Sequence, residues 1–400
     1  DVHGQDYHIA GSDASGIVWD TIAAVQSKVT VKPGETVRVD FLLGHAESLE
    51  RARDIRRELT AERIDELCAE QAQAYRKRNS AYRIDVGNPN LNGIINGFVK
   101  KQHYCYLMEK SGFRDNLQVI MALSMADYAT AEKALVRALA SQHEEGWPPH
   151  AFKPLINKKS SDKPTWILMV VPWMIKESGD VSLLNRSIPY LEGGEGTVWD
   201  HVLRAMRYLA SHTRDNGLCD MFEGDWNDGL APEGGDAGGR ESIMVTEQFC
   251  YGLLEVVGLA KRIGDTDVEK EAIELHERFT RALNEKAWDG EWYQRAICAD
   301  GFVIGSHKAE EGSFYMNSQS WAVIGQVCDA DRGNAIMDQV ERQCGLDIGY
   351  RVCHPPFTRY DARVGVNSRC LPGVTENGGC YNHAAGFKGV ADCLLGRAEE

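Results

Sequence analysis

The chain has 400 residues, is 43% hydrophobic and carries a formal net charge of −15. That length exceeds one ordinary core and predicts two folding units, or one large helical domain with an appendage. The acidic balance argues against nucleic acid or an anionic membrane as partner, because like-charged surfaces repel.

At the N-terminus, DVHGQDYHIA lacks a signal-peptide pattern, and no apolar run further along reads as long enough to span a bilayer. Residues 17–43 alternate as a strand does. Val29 and Val31 lead into the turn dipeptide Pro33-Gly34, and Val37, Val39, Phe41 and Leu43 follow. This predicts a hairpin at the end of a β domain. From Glu47 the charge-laced run ESLERARDIRRELTAERIDEL predicts linker helices with Leu49, Ala52, Ile55 and Leu59 as the inner stripe.

From about Asn90 onward, helical stripes alternate with Gly-rich polar loops. Val198, Val202, Ala205, Met206 and Leu209 form one stripe, and Phe249, Leu253, Val256, Val257 and Ala260 another. Further helices are expected near 91–110, 118–141, 164–178, 267–286, 317–343 and 383–398, with few strands. The prediction is a mainly α fold, a helical toroid in which paired helices ring a cavity. Eleven cysteines without CxxC pairs, some in apolar helical context (Cys250, Cys393), predict reduced thiols and a cytoplasmic protein. The chain opens without Met and stops at GRAEE, so it reads as a fragment of something longer.

The polar clusters fall in the loops: GFRDNLQ (112–118), EEGWPPHAF (144–152), GDWNDGL (224–230), MNSQSW (316–321), CHPPFT (353–358) and PGVTENGGCYNH (372–383). Each has a plain alternative. Arg114 and Asp115 suit a structural ion pair, Trp226 a core aromatic, and Asn377-Gly378-Gly379 a turn needing positive φ. His383 alone suits a structural histidine, as do His103 and His201.

Taken together and in order, GFRDNLQ, TVWDH (197–201), GDWNDG, NSQSW, HPPFT and PGVTENGG…H make the chain resemble the inverting β-glycoside phosphorylases of glycoside hydrolase family 94, which includes cellobiose, chitobiose and laminaribiose phosphorylases. The resemblance implies the end of an N-terminal β-sandwich (1–45), a helical linker (46–83) and an (α/α)6 barrel catalytic domain (84–400) truncated at its C-terminus. It implies Asp228 as proton donor, Arg114 and His383 as phosphate ligands, and Asp115 and Trp226 on the sugar. Asp225, Asn227, Glu376 and Gln319 complete the expected substrate-binding set. The substrates implied are a β-linked gluco-disaccharide or oligosaccharide and inorganic phosphate. No metal or organic cofactor is implied, and a homodimer of the longer parent is.

The chemistry of these residues points the same way. Glycoside cleavage needs a carboxylic acid that keeps its proton until it reaches the leaving oxygen. A neighbouring carboxylate, Asp225, and partial burial against Trp226 are expected to hold that proton on Asp228. An inverting hydrolase also needs a carboxylate to activate water, whereas phosphate is itself the nucleophile and needs a cationic, donor-rich cradle. Arg114, His383 and the backbone amides of ENGG are expected to form it. Two departures stand out. The family's Thr-Gly phosphate loop has no counterpart here, which places it beyond residue 400. A His-Trp-Trp-His stretch near the acceptor is replaced by GWPPHAFKPL, which leaves acceptor identity open. The competing readings are an inverting hydrolase with Glu376 as second carboxylate, a non-catalytic carbohydrate-binding scaffold, and an epimerase on a helical toroid.

Overall fold

A computed structural model describes residues 27–109, 112–230 and 239–397. The chain divides into two compact units, Asp1–Tyr75 and Arg76–Glu400.

In the first unit, the Glu35 N–H closes a turn on the Lys32 carbonyl at 3.0 Å, and Gly34 takes the positive φ of +83° that the turn needs. The turn is where the sequence put it. The expected hairpin is not: no paired strand occurs among the described residues of this stretch, and residues 17–26 lie outside them. Val29, Val31, Val37, Val39, Phe41 and Leu43 are all exposed, so the apolar face lacks the partner surface that makes alternation fold as a strand. Helices α1 (Leu49–Glu58) and α2 (Ala61–Asn79) realise the linker run. The Ser48 hydroxyl caps α1 by accepting the Arg51 N–H. The division between units falls inside α2.

The second unit opens with α3 (Pro89–Gly93), a π-helical stretch (Ile94–Val99) and α4 (Lys100–Glu109). Then come α5 (Phe113–Ser124), α6 (Tyr128–Leu139), α7 (Asp162–Ser178) and α8 (Val198–Ser211). They are followed by α9 (Ile243–Ile263), α10 (Thr266–Lys286), α11 (Met316–Ile324), α12 (Ala330–Cys344) and α13 (Asn382–Leu395). Two expected long helices are each split by a new cap. Asp127 accepts the Thr130 N–H and starts α6, and Asp329 accepts the Arg332 N–H and starts α12.

Helices α5, α7, α9, α11 and α13 pack each on the next, while α6, α8, α10 and α12 back α5, α7, α9 and α11 from outside. Burial separates the layers. Every residue of α11 is buried, whereas α10 buries Val268, Ala272, Phe279 and Leu283 out of 21 residues. A Cβ on Gly252 would meet Leu168 at 2.9 Å, so glycine sets how closely α9 approaches α7. Helix α9 has a mean hydropathy of 1.3 over 18 residues, which corrects the expectation that no run is long and apolar enough to cross a bilayer. It is 72% buried, a core helix held by α7, α10 and α11.

Among the inner helices, Trp166 and Trp321 pack edge on face, and Phe387 lies tilted against Trp321 with centroids 4.8 Å apart. Of the stretches expected to be loops, EEGWPPHAF precedes α7, GDWNDGL precedes α9, and CHPPFT and PGVTENGG precede α13. Most of GFRDNLQ and all of MNSQSW are instead helical, at the starts of α5 and α11. Of the cysteines, Cys219, Cys250, Cys344 and Cys353 are buried, while Cys393 is exposed despite its apolar setting in sequence.

Candidate active site

The loop before α9 is anchored from below. Asp225 is 1% exposed and accepts from Arg295 Nη2 at 2.7 Å, from the Ser242 hydroxyl at 2.7 Å and from the Asn227 N–H at 2.9 Å. Burial alone would raise its pKa. Arg295, Ser242 and the backbone donor reverse this and hold the carboxyl below its ordinary value. The same Ser242 oxygen caps α9 through the Val245 N–H, which ties loop to helix. Asp225 therefore spends its charge on Arg295. Its carboxylate is thus enclosed within the loop, and the side chain that emerges into the open is Asp228. Asn227 is buried too, its side-chain oxygen accepting from Asn367 Nδ2 at 2.7 Å, which makes it a loop anchor rather than a substrate contact.

Asp228 emerges from this base with its side chain 63% exposed, not shielded against Trp226 as expected. Next to it, a Cβ on Gly229 would stand 1.7 Å from Asn367 Oδ1, so only glycine lets the turn pass. Arg114, in the first turn of α5, faces Asp228 with Nη2 at 3.3 Å from both carboxylate oxygens. Its Nη1 donates to Asp162 at 3.0 Å and to the Trp226 carbonyl at 3.1 Å. Burial opposes the charge of Arg114, but Asp162 and Asp228 outweigh it and keep the guanidinium protonated.

Glu376 is buried and accepts the Gly229 N–H at 3.0 Å. Burial first, then the charges of Asp228 and Asp225, push its carboxyl up to about 7. Of these two carboxyls, Glu376 is the one shielded from water, whereas Asp228 faces it. Asn377 of the same ENGG stretch is fully buried and clamps Phe357 N–H and carbonyl through its amide, while Gly378 takes φ +78°.

Trp226 is 4% exposed, a core aromatic whose indole N–H points at His383 Nδ1 from 3.1 Å. The other ring nitrogen, Nε2, lies 2.6 Å from the Gln118 amide. His383 is exposed to solvent on one side, yet its ring packs against Phe387 at 4.6 Å and Trp226 at 5.2 Å. Burial beneath these rings, then the charge of Arg114, lower its pKa to about 4. At neutral pH the ring is uncharged, so the expected cradle holds one cation, Arg114, and not two. Gln319 is fully buried, with its amide spent on Tyr293 and Tyr315 backbone groups, and belongs to the scaffold rather than to a substrate site.

A cavity of about 250 Å³ opens beside Asp228, lined by Arg114, Asp115, His150, Lys163 and Tyr106. Asp115 thus faces the same space as Arg114 and Asp228. Buried Lys163 and half-buried His150 are contributors that sequence reading did not single out, nor did it single out Asp162, Arg295 or Gln118. Burial lowers the pKa of Lys163 and of His150. The available signal was position: SSDKPTW starts α7 with polar residues just as GFRD starts α5. Arg295 carries no local signal. His201 is fully buried on Gln142 and the Ile188 carbonyl and is structural, while His103 sits part-buried in α4. Among the described residues no group of three His, Cys, Asp or Glu is placed to hold a metal ion.

Residues 103–400 match the model of the glycosyl hydrolase 94 superfamily catalytic domain, and residues 8–62 that of the glycosyl hydrolase 94 supersandwich domain. The chain is 34% identical to a solabiose phosphorylase of Paenibacillus borealis, over 95% of this chain and 50% of that protein. It is 29% identical to a 3-O-β-D-glucopyranosyl-β-D-glucuronide phosphorylase of the same organism, over 95% of this chain and 51% of that one. An N,N'-diacetylchitobiose phosphorylase of Vibrio proteolyticus is 25% identical over 97% of this chain and 53% of its own length. The chain spans about half the length of the curated relatives it matches.

Proposed function

The chain belongs to the glycosyl hydrolase 94 superfamily, and on that premise we propose that it is the larger part of the catalytic unit of an inverting phosphorylase of β-linked glucosides. In this reading phosphate, held by Arg114 and touched by His383, attacks the anomeric carbon from one face of the sugar. The bond to the aglycone oxygen breaks, Asp228 delivers its proton to that oxygen, and α-glucose-1-phosphate leaves with the shortened sugar. Asp115 and Glu376 are assigned to hydroxyl groups of the donor sugar. The phosphorylase names of the relatives support the reaction class. The observation that carries the residue roles is the pairing of Arg114 with Asp228 at 3.3 Å beside a sugar-sized cavity. Inorganic phosphate is the co-substrate, no metal or organic cofactor is assigned, and a cytoplasmic homodimer of the longer parent belongs to the same proposal.

One observation favours a second reading. With a pKa near 7, Glu376 is suited to donate and accept a proton at neutral pH, as a hydrolase would use it. Sugar release by the whole protein, assayed with and without phosphate, separates the two. Phosphate-dependent release with an α-configured sugar phosphate in early proton NMR spectra supports the phosphorylase. A β-phosphate removes the inverting mechanism, and equal release of free glucose without phosphate makes the protein a hydrolase.

A further inference from the structure

Trp226 and Gln118 hold the two ring nitrogens of His383, the indole nitrogen at 3.1 Å from Nδ1 and the Gln118 side-chain nitrogen at 2.6 Å from Nε2. An indole nitrogen only donates, so Nδ1 must offer a lone pair. That excludes the imidazolium, in which both nitrogens carry protons. It also selects the tautomer, because a neutral ring with a bare Nδ1 bears its proton on Nε2. Were Nε2 bare as well, the ring would be an imidazolate. Two nitrogens that both carry protons cannot share this contact, so we assign the Gln118 amide with its oxygen and nitrogen exchanged, the oxygen toward Nε2, an exchange of two sterically equivalent groups.

The surrounding charges do not reverse this. From α5, Arg114 disfavours a second cation. From α7, Asp162 favours one, but it is paired with Arg114 at 3.0 Å. Trp166 and Phe387 contribute uncharged rings to the packing around His383.

We infer that Trp226 and Gln118 are positioning residues that present His383 as a neutral Nε2–H donor, so that it recognises phosphate by direction and leaves the charge to Arg114. Phosphate takes the N–H that Gln118 accepts in the ligand-free site. The tautomer stands on the geometry, and its use toward phosphate rests on the phosphorylase reading. Trp226, expected against the sugar, thereby gains a task at its indole edge.

Long-range proton–nitrogen NMR spectra of histidine-labelled protein, with His383 identified by its loss in His383→Gln, test the tautomer directly. The expected result is the neutral Nε2–H pattern down to about pH 5.5. Trp226→Phe keeps the ring but removes the donor, and should let His383 titrate near its ordinary value of about 6.5. Gln118→Glu, which leaves the core intact, should do the same by placing a carboxylate at Nε2. An imidazolium at pH 6 in the unmodified protein, an Nδ1–H pattern, or a His383 that fails to titrate in both variants overturns the inference. In kinetic assays, phosphate KM of Trp226→Phe should fall roughly tenfold from pH 7.5 to 5.5 as a charged donor replaces a neutral one, beyond any trend in the unmodified protein. An unchanged difference overturns the phosphate half. Correct spectra with phosphate-independent sugar release leave the tautomer standing and remove the phosphorylase reading instead.

Discussion

Arg114 and Asp228 meet through one guanidinium nitrogen, Nη2, which lies 3.3 Å from each oxygen of the carboxylate. The other, Nη1, is locked on buried Asp162 and on the Trp226 carbonyl. The arginine is thus fixed by one edge and free to exchange partners at the other. An incoming anion competes with exposed Asp228 for that edge, not with Asp162.

Asp228→Asn is accordingly expected to change two quantities in opposite directions. Losing the proton donor should cut turnover of an unactivated disaccharide by roughly 10²–10⁴-fold. Losing the competing charge should tighten apparent phosphate affinity by about threefold to tenfold, the scale of one charged contact. Steady-state kinetics with varied phosphate measure both. Near-native turnover would remove Asp228 as the acid, and weakened phosphate affinity would remove the competition.

Arg114→Ala should damage the scaffold as well as the site. Asp162 is fully buried, and the nearest alternative cation is Lys163 Nζ at 3.8 Å. Stranding such a carboxylate costs about 3–5 kcal/mol. Arg114→Lys should recover part of that, but not the two-edged contact, since an ammonium lacks the planar fork. Urea denaturation checks the stability loss and phosphate titration the binding loss. Unchanged stability in Arg114→Ala would show that Asp162 does not depend on it.

Asp225→Asn tests whether that residue supports the loop or the chemistry. Its partner Arg295 is 1% exposed, so neutralising Asp225 leaves a buried guanidinium unpaired at a cost of about 3 kcal/mol or more. The expected signature is a lower unfolding midpoint with both limbs of the kcat against pH profile left in place. A displaced limb with unchanged stability would restore the electrostatic role.

Glu376 makes stability depend on pH. Its folded pKa of about 7 lies above the ordinary 4.5, so between these values the folded chain holds a proton that the unfolded chain has released. The stability this group contributes is present below pH 4.5 and is lost as pH rises through 7, on the order of 3 kcal/mol in all. Glu376→Gln keeps an acceptor for the Gly229 N–H and removes the titration. The variant's gain in Tm over the unmodified protein should therefore grow from pH 5 to pH 8. A constant or shrinking difference would mean that Glu376 is charged in the fold at neutral pH.

The helices were legible in the sequence because their signal is local. A stripe such as Val198, Val202, Ala205, Met206 and Leu209 recurs at helical spacing, and burying it needs only some apolar neighbour, whichever it is. The breaks at Asp127 and Asp329 were less legible, since a capping carboxylate amid helix formers looks like one more polar surface residue. The alternation read over 17–43 agrees with the supersandwich match of residues 8–62, yet the described part, 27–43, holds no paired strand: alternation describes a face, and a face becomes a sheet only when another strand pairs with it.

Within GDWND, by contrast, residue type could not say which carboxylate turns inward. Asp225 and Asp228 are three positions apart in an aperiodic loop, and their exposures are set by Arg295 and Ser242 below and by Arg114 above. Likewise the sequence by itself determined that a histidine follows ENGG, while packing decided its surroundings, with Trp226 from 157 positions away at Nδ1 and the Arg114 charge close by. Burial and partner charge act through space over a few ångströms, and only the packing of α5, α7 and α13 around that loop brings those partners within range.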